Sequence, residues 1–312
     1  MKLKDRINYR LLCGVIYPLS LLPLGVLYGL ADVTAWLARV VVRYRRKVIM
    51  DNLRHAFPDR SEAELKRICH RFYRFLADYG VETIKLLTIS RSRMMRRMHM
   101  EGADELAGHL RQGRNVILYL GHYCNWEWVS SMPIWLGDMS DNAAQAYHPL
   151  SNKGMDRLFI NIRTRFGAHN LPMNDMMRFL IERRRKGLPT ITGLIADQSP
   201  SLNHHLFAEF FHRETGWYTG PERIARFQNA VVYYVHMSRP KRGYYTARFE
   251  LMTDSPKKEP TFEITRDFIR RLEANISEAP GYYLWSHRRW KRTREDFDRY
   301  WGDKAKEQLS HL

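Results

Sequence analysis

The apolar run Val116-Ile117-Leu118-Tyr119-Leu120 ends directly in Gly121-His122-Tyr123-Cys124-Asn125-Trp126-Glu127-Trp128, and this junction limits what the chain can become. Five apolar residues closed by a glycine read as a buried strand that empties into a turn. On a continuous α-helix His122 and Glu127 would point about 140° apart at ~100° per residue, so they meet only if the backbone turns between them. Gly121 and Asn125 supply that turn. Asn125 suits the N-cap of a helix running from Trp126 toward Trp135, with Glu127 in its first turn beneath the His122 imidazole. A carboxylate that holds one ring nitrogen leaves the other free to take a proton. His-x4-Glu recurs by chance in many chains. Its weight here comes from its place at the carboxyl end of an apolar strand, where open α/β sheets bind ligands.

Leu188–Ala196 is a second apolar run, and it opens into Asp197-Gln198-Ser199-Pro200 in the same manner. Ala230–Met237 and Tyr244–Met252 read as later strands, the second antiparallel after the turn from Pro240 to Gly243. Ser61 with Glu64 forms a capping-box pattern, after which Leu65, Ile68, Phe72, Phe75, Leu76 and Tyr79 recur at helical spacing. Arg91–Met100, rich in Arg and Met, reads as a helix-to-strand connection, and Ile264–Ala279 as an amphipathic helix stopped by Pro280-Gly281. Strands alternating with helices predict an α/β fold, a mixed sheet with helices on both faces.

Leu11–Ala31 contains no charged residue and is about long enough to cross a bilayer as one helix. Pro18, Pro23, Gly14, Gly25 and Gly29 weaken such a helix and leave a re-entrant or interfacial hairpin as the alternative. A cleaved signal peptide fits less well, because no Ala-x-Ala site closes the run. The division expected is an anchor with a basic collar over 1–47 and a main domain over 48–312. Lys2, Lys4, Arg6 and Arg10 precede the apolar stretch and Arg39, Arg43, Arg45, Arg46 and Lys47 follow it, so charge gives no clean orientation. The denser cluster favours a cytoplasmic main domain with its collar against anionic lipid. Lys plus Arg number 51 against 33 Asp plus Glu, a formal charge of +18 that favours anionic partners. No RNA-recognition or helix-turn-helix signature points to nucleic acid. Cys13, Cys69 and Cys124 form neither a disulfide framework nor a zinc spacing, which fits a reduced, cytosol-facing location. Cys124 reads as a small turn residue; nothing marks its thiol as activated.

Taken together, the anchor, Asn52–Pro58 (NLRHAFP), GHYCNWEW, Ala196–Pro200 (ADQSP), Thr219-Gly220 with the helix after it, and Leu284–Lys291 (LWSHRRWK) resemble the bacterial lipid A biosynthesis acyltransferases, the late lauroyl/myristoyl type within the lysophospholipid acyltransferase superfamily. The resemblance covers almost the whole chain. It implies a glycerolphosphate-acyltransferase-like fold and acyl transfer at the cytoplasmic face of the bacterial inner membrane. The donor would be an acyl thioester, usually on acyl carrier protein, and the acceptor a hydroxyl of a lipid A precursor. No metal or organic cofactor is expected. By similarity His122 would be the general base and Glu127 its support. Asn125, Arg163, Asp197, Gln198, Thr219, Gly220, Arg288 and Arg289 would contact substrate, the arginines through phosphate. Many relatives have glycine in place of Cys124, so the turn here is either compatible with a side chain or mildly strained, and Tyr147-His148-Pro149 stands where many have Tyr-Arg-Pro. Trp126, Trp128, Trp135, Trp217, Trp285 and Trp290 read as an acyl-channel lining, core residues or interfacial anchors. The alternatives are the same chemistry on a lysophospholipid or other membrane lipid, and a non-catalytic basic membrane adaptor.

Overall fold

The computed structural model describes residues 3–310. Of the cations that precede the apolar stretch, Lys2 lies outside the described residues. The stretch itself is divided: α1 (Leu3–Leu21) stops before Pro23 and α2 (Leu24–Trp36) begins after it. Proline lacks an N–H and disfavours helical backbone in the residue before it, so one uninterrupted helix over Leu11–Ala31 does not form. The segment long and apolar enough to cross a membrane is instead Leu24–Val41, with mean hydropathy 1.4. Its last turn, Leu37–Val41, is wound as a π-helix. Leu3, Ile7, Leu11 and Val15 on α1, and Val26, Leu30, Val33 and Leu37 along α2 and its extension, form exposed apolar stripes. The carbonyls that end α1 are not left bare. Buried Lys85 donates from Nζ to Ser20 O at 2.7 Å and Leu22 O at 2.9 Å.

α3 (Arg46–Ala56) carries the first five residues of NLRHAFP, and Asn52 there donates to the carbonyls of Trp285 and His287 at 2.7 and 2.9 Å. α4 (Glu62–Lys85) starts with the expected Ser61–Glu64 capping box and packs against α2. The Arg- and Met-rich connection forms a short helix, α5 (Arg91–Arg97), capped by Ser90, and runs into β1 (Met98–Glu101). Then come α6 (Ala103–Arg111), β2 (Val116–Leu120), β3 (Ala143–Tyr147), α7 (Lys153–Thr164), β4 (His169–Pro172), α8 (Met173–Arg185) and β5 (Ile191–Ile195). A two-stranded ribbon, β6 (Leu206–Phe210) and β7 (Arg213–Trp217), precedes α9 (Gly220–Gln228), β8 (Val231–Lys241), β9 (Tyr244–Thr253) and α10 (Glu263–Glu278). α11 (Arg294–Trp301) and α12 (Ala305–Ser310) follow.

The main sheet has seven strands in the order β1-β9-β8-β2-β5-β3-β4. β2 runs parallel to both neighbours, β5 and β8, whereas β9 is antiparallel to β8 across the Pro240–Gly243 turn, so the sheet is mixed as expected. Every residue of β2 is buried. Successive strand residues face opposite sides, so complete burial means that both faces are covered.

Candidate active site

Gly121 ends β2 where α10 comes close; a Cβ there would lie 2.5 Å from a methyl of Leu272. The chain then turns through Cys124, whose φ of 51° is left-handed backbone that L side chains seldom adopt. Of the two alternatives for this non-glycine position, the left-handed backbone is the strained one. The turn is held against the chain leading into the carboxyl-terminal LWSHRRWK segment: Cys124 N donates to Tyr282 O at 3.0 Å and Leu284 N to His122 O at 3.2 Å. Cys124 is fully buried, and burial pushes its thiol well above the usual range. An unactivated thiol is what the sequence indicated.

The histidine's carboxylate is Asp197. Its Oδ1 lies 2.6 Å from His122 Nδ1, and its Oδ2 accepts the His122 backbone N–H at 2.9 Å. The sheet register explains the meeting. Leu120 on β2 faces Ile195 on β5, so the residues two places beyond each strand end, His122 and Asp197, also face each other. Burial alone would raise the Asp197 carboxyl, but the His122 charge and hydrogen bonds outweigh it and hold it below the ordinary value. With Nδ1 committed, Nε2 stays open toward Gln198, whose amide donates to it at 3.2 Å. The expectation that Asp197 and Gln198 share the edge with His122 is met, and each contacts the imidazole.

Glu127 is not beneath the imidazole. Asn125 does cap the next segment, accepting the Trp128 N–H at 3.2 Å, but Trp126–Ile134 is a 3-10 helix, and the Glu127 carboxylate is engaged by partners other than His122. Arg163 on α7 grips Glu127 with two bonds of 2.8 and 2.6 Å, and Tyr79 adds a third at 3.3 Å. The Trp126 ring bridges the two halves, 4.2 Å from Tyr79 and edge-on to His122 at 5.0 Å.

Other expected ligand contacts are already occupied. Asn125 is buried and donates to Glu82 Oε2 at 2.7 Å. Arg163 is tied to Glu127 and lies over the Phe159 ring at 5.1 Å. Arg289 is 2 % exposed, stacks on Trp217 at 4.2 Å and donates to Gly216 O, so it cannot reach a phosphate in solvent. Burial lowers its guanidinium to about 10. Thr219 is buried at the start of α9, while Gly220 and Arg288 are exposed. No hydrogen bond among the described residues joins any of these last three to His122. Trp128, Trp217 and Trp285 are core residues, fully buried.

Two groups were missed in the sequence. His287, inside LWSHRRWK, accepts the Ser199 N–H at 3.1 Å and braces the Asp197 loop. Burial, with Arg289, His122 and Lys291 nearby, lowers its imidazole to about 4 against the pull of Asp197. Glu82 is fully buried and collects bonds from Tyr28 (2.9 Å), Asn125 (2.7 Å) and Tyr245 (2.7 Å). Its signal was legible: position 82 falls three after Tyr79 on the apolar face of α4, where a carboxylate needs partners.

An apolar amino-terminal segment, a covered mixed sheet and a histidine–carboxylate pair at its carboxyl edge have the layout of an α/β enzyme whose histidine can accept a proton. Residues 5–292 match the family model described as bacterial lipid A biosynthesis acyltransferase. The chain is 26 % identical to the lipid A biosynthesis palmitoleoyltransferase of Escherichia coli K12 over 285 residues, 89 % of each chain. It is 25 % identical to the lauroyltransferase of the same strain over the same share, and 24 % identical to its myristoyltransferase over 77 % of this chain and 73 % of that one. The chain belongs to the bacterial lipid A biosynthesis acyltransferase family and is an acyltransferase.

Proposed function

We propose that this protein moves a fatty acyl chain from acyl carrier protein to a hydroxyl of a lipid A precursor at the cytoplasmic face of the bacterial inner membrane, with His122 as general base. His122 Nε2 takes the acceptor's hydroxyl proton as the oxygen attacks the thioester carbonyl. The tetrahedral oxyanion collapses, the C–S bond breaks, and the imidazolium returns the proton to the departing thiolate. Asp197 fixes the tautomer that leaves Nε2 basic and offsets the imidazolium charge. For the oxyanion, the backbone N–H groups of Trp126 and Glu127, at the start of the 3-10 helix, are the donors this reading assigns, since the Trp128 N–H is taken by Asn125. Glu127 and Arg163 act together as a rigid wall of the site. No acyl-enzyme is needed, in keeping with the raised Cys124 thiol.

The observation that carries this reading is the 2.6 Å contact of Asp197 with His122 Nδ1 at the mouth of the sheet. The test is mass spectrometry of lipids from a deletion strain complemented with the native gene or a His122→Ala copy. Loss of one secondary acyl chain from lipid A, restored only by the native gene, is expected. Unchanged lipid A with a shift in another lipid class would move the acceptor to a lysophospholipid. Full rescue by the mutant would leave His122 without a chemical role.

A further inference from the structure

A cavity of about 270 Å³ opens between α2, the π-turn and α4, lined by Asp32, Trp36, Arg39, His70, Tyr73 and Arg74. It is separate from the acyl-transfer site. His70 and Tyr79 are nine residues apart on α4, about 13 Å of helix. Arg39 lies inside the apolar segment Leu24–Val41, in the π-wound turn, a helical irregularity often retained at functional sites. An arginine in such a segment is expected to have a partner. Among the described residues, Arg39 has no hydrogen bond or ion pair. Asp32, the one carboxylate of the cavity, is held by two bonds from Arg242 at 2.9 and 3.0 Å and is shared with Arg74 at 3.7 Å. Positive charge is therefore in excess. The His70 imidazole registers it: burial and the charges of Arg39 and Arg74 push it below its usual value. Trp36, 53 % exposed at the rim, continues the apolar stripe of α2, and indoles are enriched where helices meet the headgroup layer.

We propose that this cavity is a binding site for the phosphate headgroup of an anionic membrane phospholipid, with Arg39 and Arg74 as phosphate donors and Trp36 against the glycerol and upper acyl chains. Two observations exclude a merely solvated basic patch: the cations surround a concavity, and the concavity adjoins an exposed apolar helix face, which matches the two-part chemistry of a phospholipid. The site would fix the depth and rotation of α2 in the bilayer and play no part in the chemistry.

The test uses full-length protein in detergent and native mass spectrometry, with phosphatidylglycerol, phosphatidylcholine and inorganic phosphate as separate probes. The native protein should hold one phosphatidylglycerol in preference to phosphatidylcholine, and Arg39→Gln should bind it about tenfold more weakly. His70→Glu, which keeps a good helix former on an exposed position and tethers a competing carboxylate in the cavity, should weaken it similarly without removing any arginine. Both variants should keep acyl transfer to detergent-solubilised acceptor. Equal phosphatidylglycerol retention in native protein and both variants would overturn the proposal. So would binding of inorganic phosphate without lipid, or a raised KM for the acceptor in Arg39→Gln, which would give the cavity to the substrate.

Discussion

At the scale of single residues, the carboxylate that touches the histidine decides what each substitution does. Asp197→Asn keeps the shape of the pair but removes the negative charge and permits the wrong tautomer, so kcat should fall by roughly 10²–10⁴ with little change in KM. Glu127→Gln should act differently, because Glu127 neutralises Arg163: a raised KM and a lower Tm are expected, with a smaller loss of kcat. Steady-state kinetics of both variants read that split, and equal kcat losses at unchanged KM would return Glu127 to the imidazole. Cys124 has a fully buried thiol pushed up by burial, so a maleimide should fail to modify it, and Cys124→Ala should leave turnover unchanged. The sequence marked His122, Asp197 and Gln198 because each follows an apolar run. It could not say which carboxylate meets the ring, since Glu127 is near in sequence and Asp197 is near only once β2 and β5 are known to be neighbours in register.

At the scale of elements, periodicity made α4, α10, β5, β8 and β9 legible to within a few residues. What it did not carry was the 3-10 winding of Trp126–Ile134, which contains Pro133, and the π-turn after α2. Nor did it show how α4 joins the amino-terminal helices to the site. Arg239 on β8 bonds Asp78 at 2.6 Å and lies 3.9 Å from Glu82, while Arg242 links Asp78 to Asp32 on α2, and Glu82 carries the chain of bonds on to Asn125. Buried ion pairs contribute little net stability when complete, but breaking one strands a charge. Arg239→Met leaves Asp78 with Arg242 but strips buried Glu82 of its nearby cation, and should cost about 3–5 kcal/mol, read as a lower denaturation midpoint.

At the scale of the whole molecule, stability should depend on pH through His287. Its imidazole titrates at about 4 in the folded protein against an ordinary 6.5, so between these values the unfolded chain binds a proton that the folded one refuses. Stability is full above about pH 6.5 and declines as the pH falls toward 4; thermal melts of His287→Gln in the same detergent should show a flatter profile across that window. The apolar amino-terminal helices are built into the body of the enzyme through Lys85, Glu82 and Asp78, and deletion of residues 1–47 should therefore leave an unstable remainder. The Lys85 contact also bears on biosynthesis. The carbonyl of Ser20 near the end of α1 finds its donor 65 residues further along the chain, so α1 cannot complete its end until α4 has been synthesised. Completion of the apolar amino-terminal helices and folding of the sheet-bearing body are thus steps in one assembly, with the lysine as the last piece of the α1 terminus.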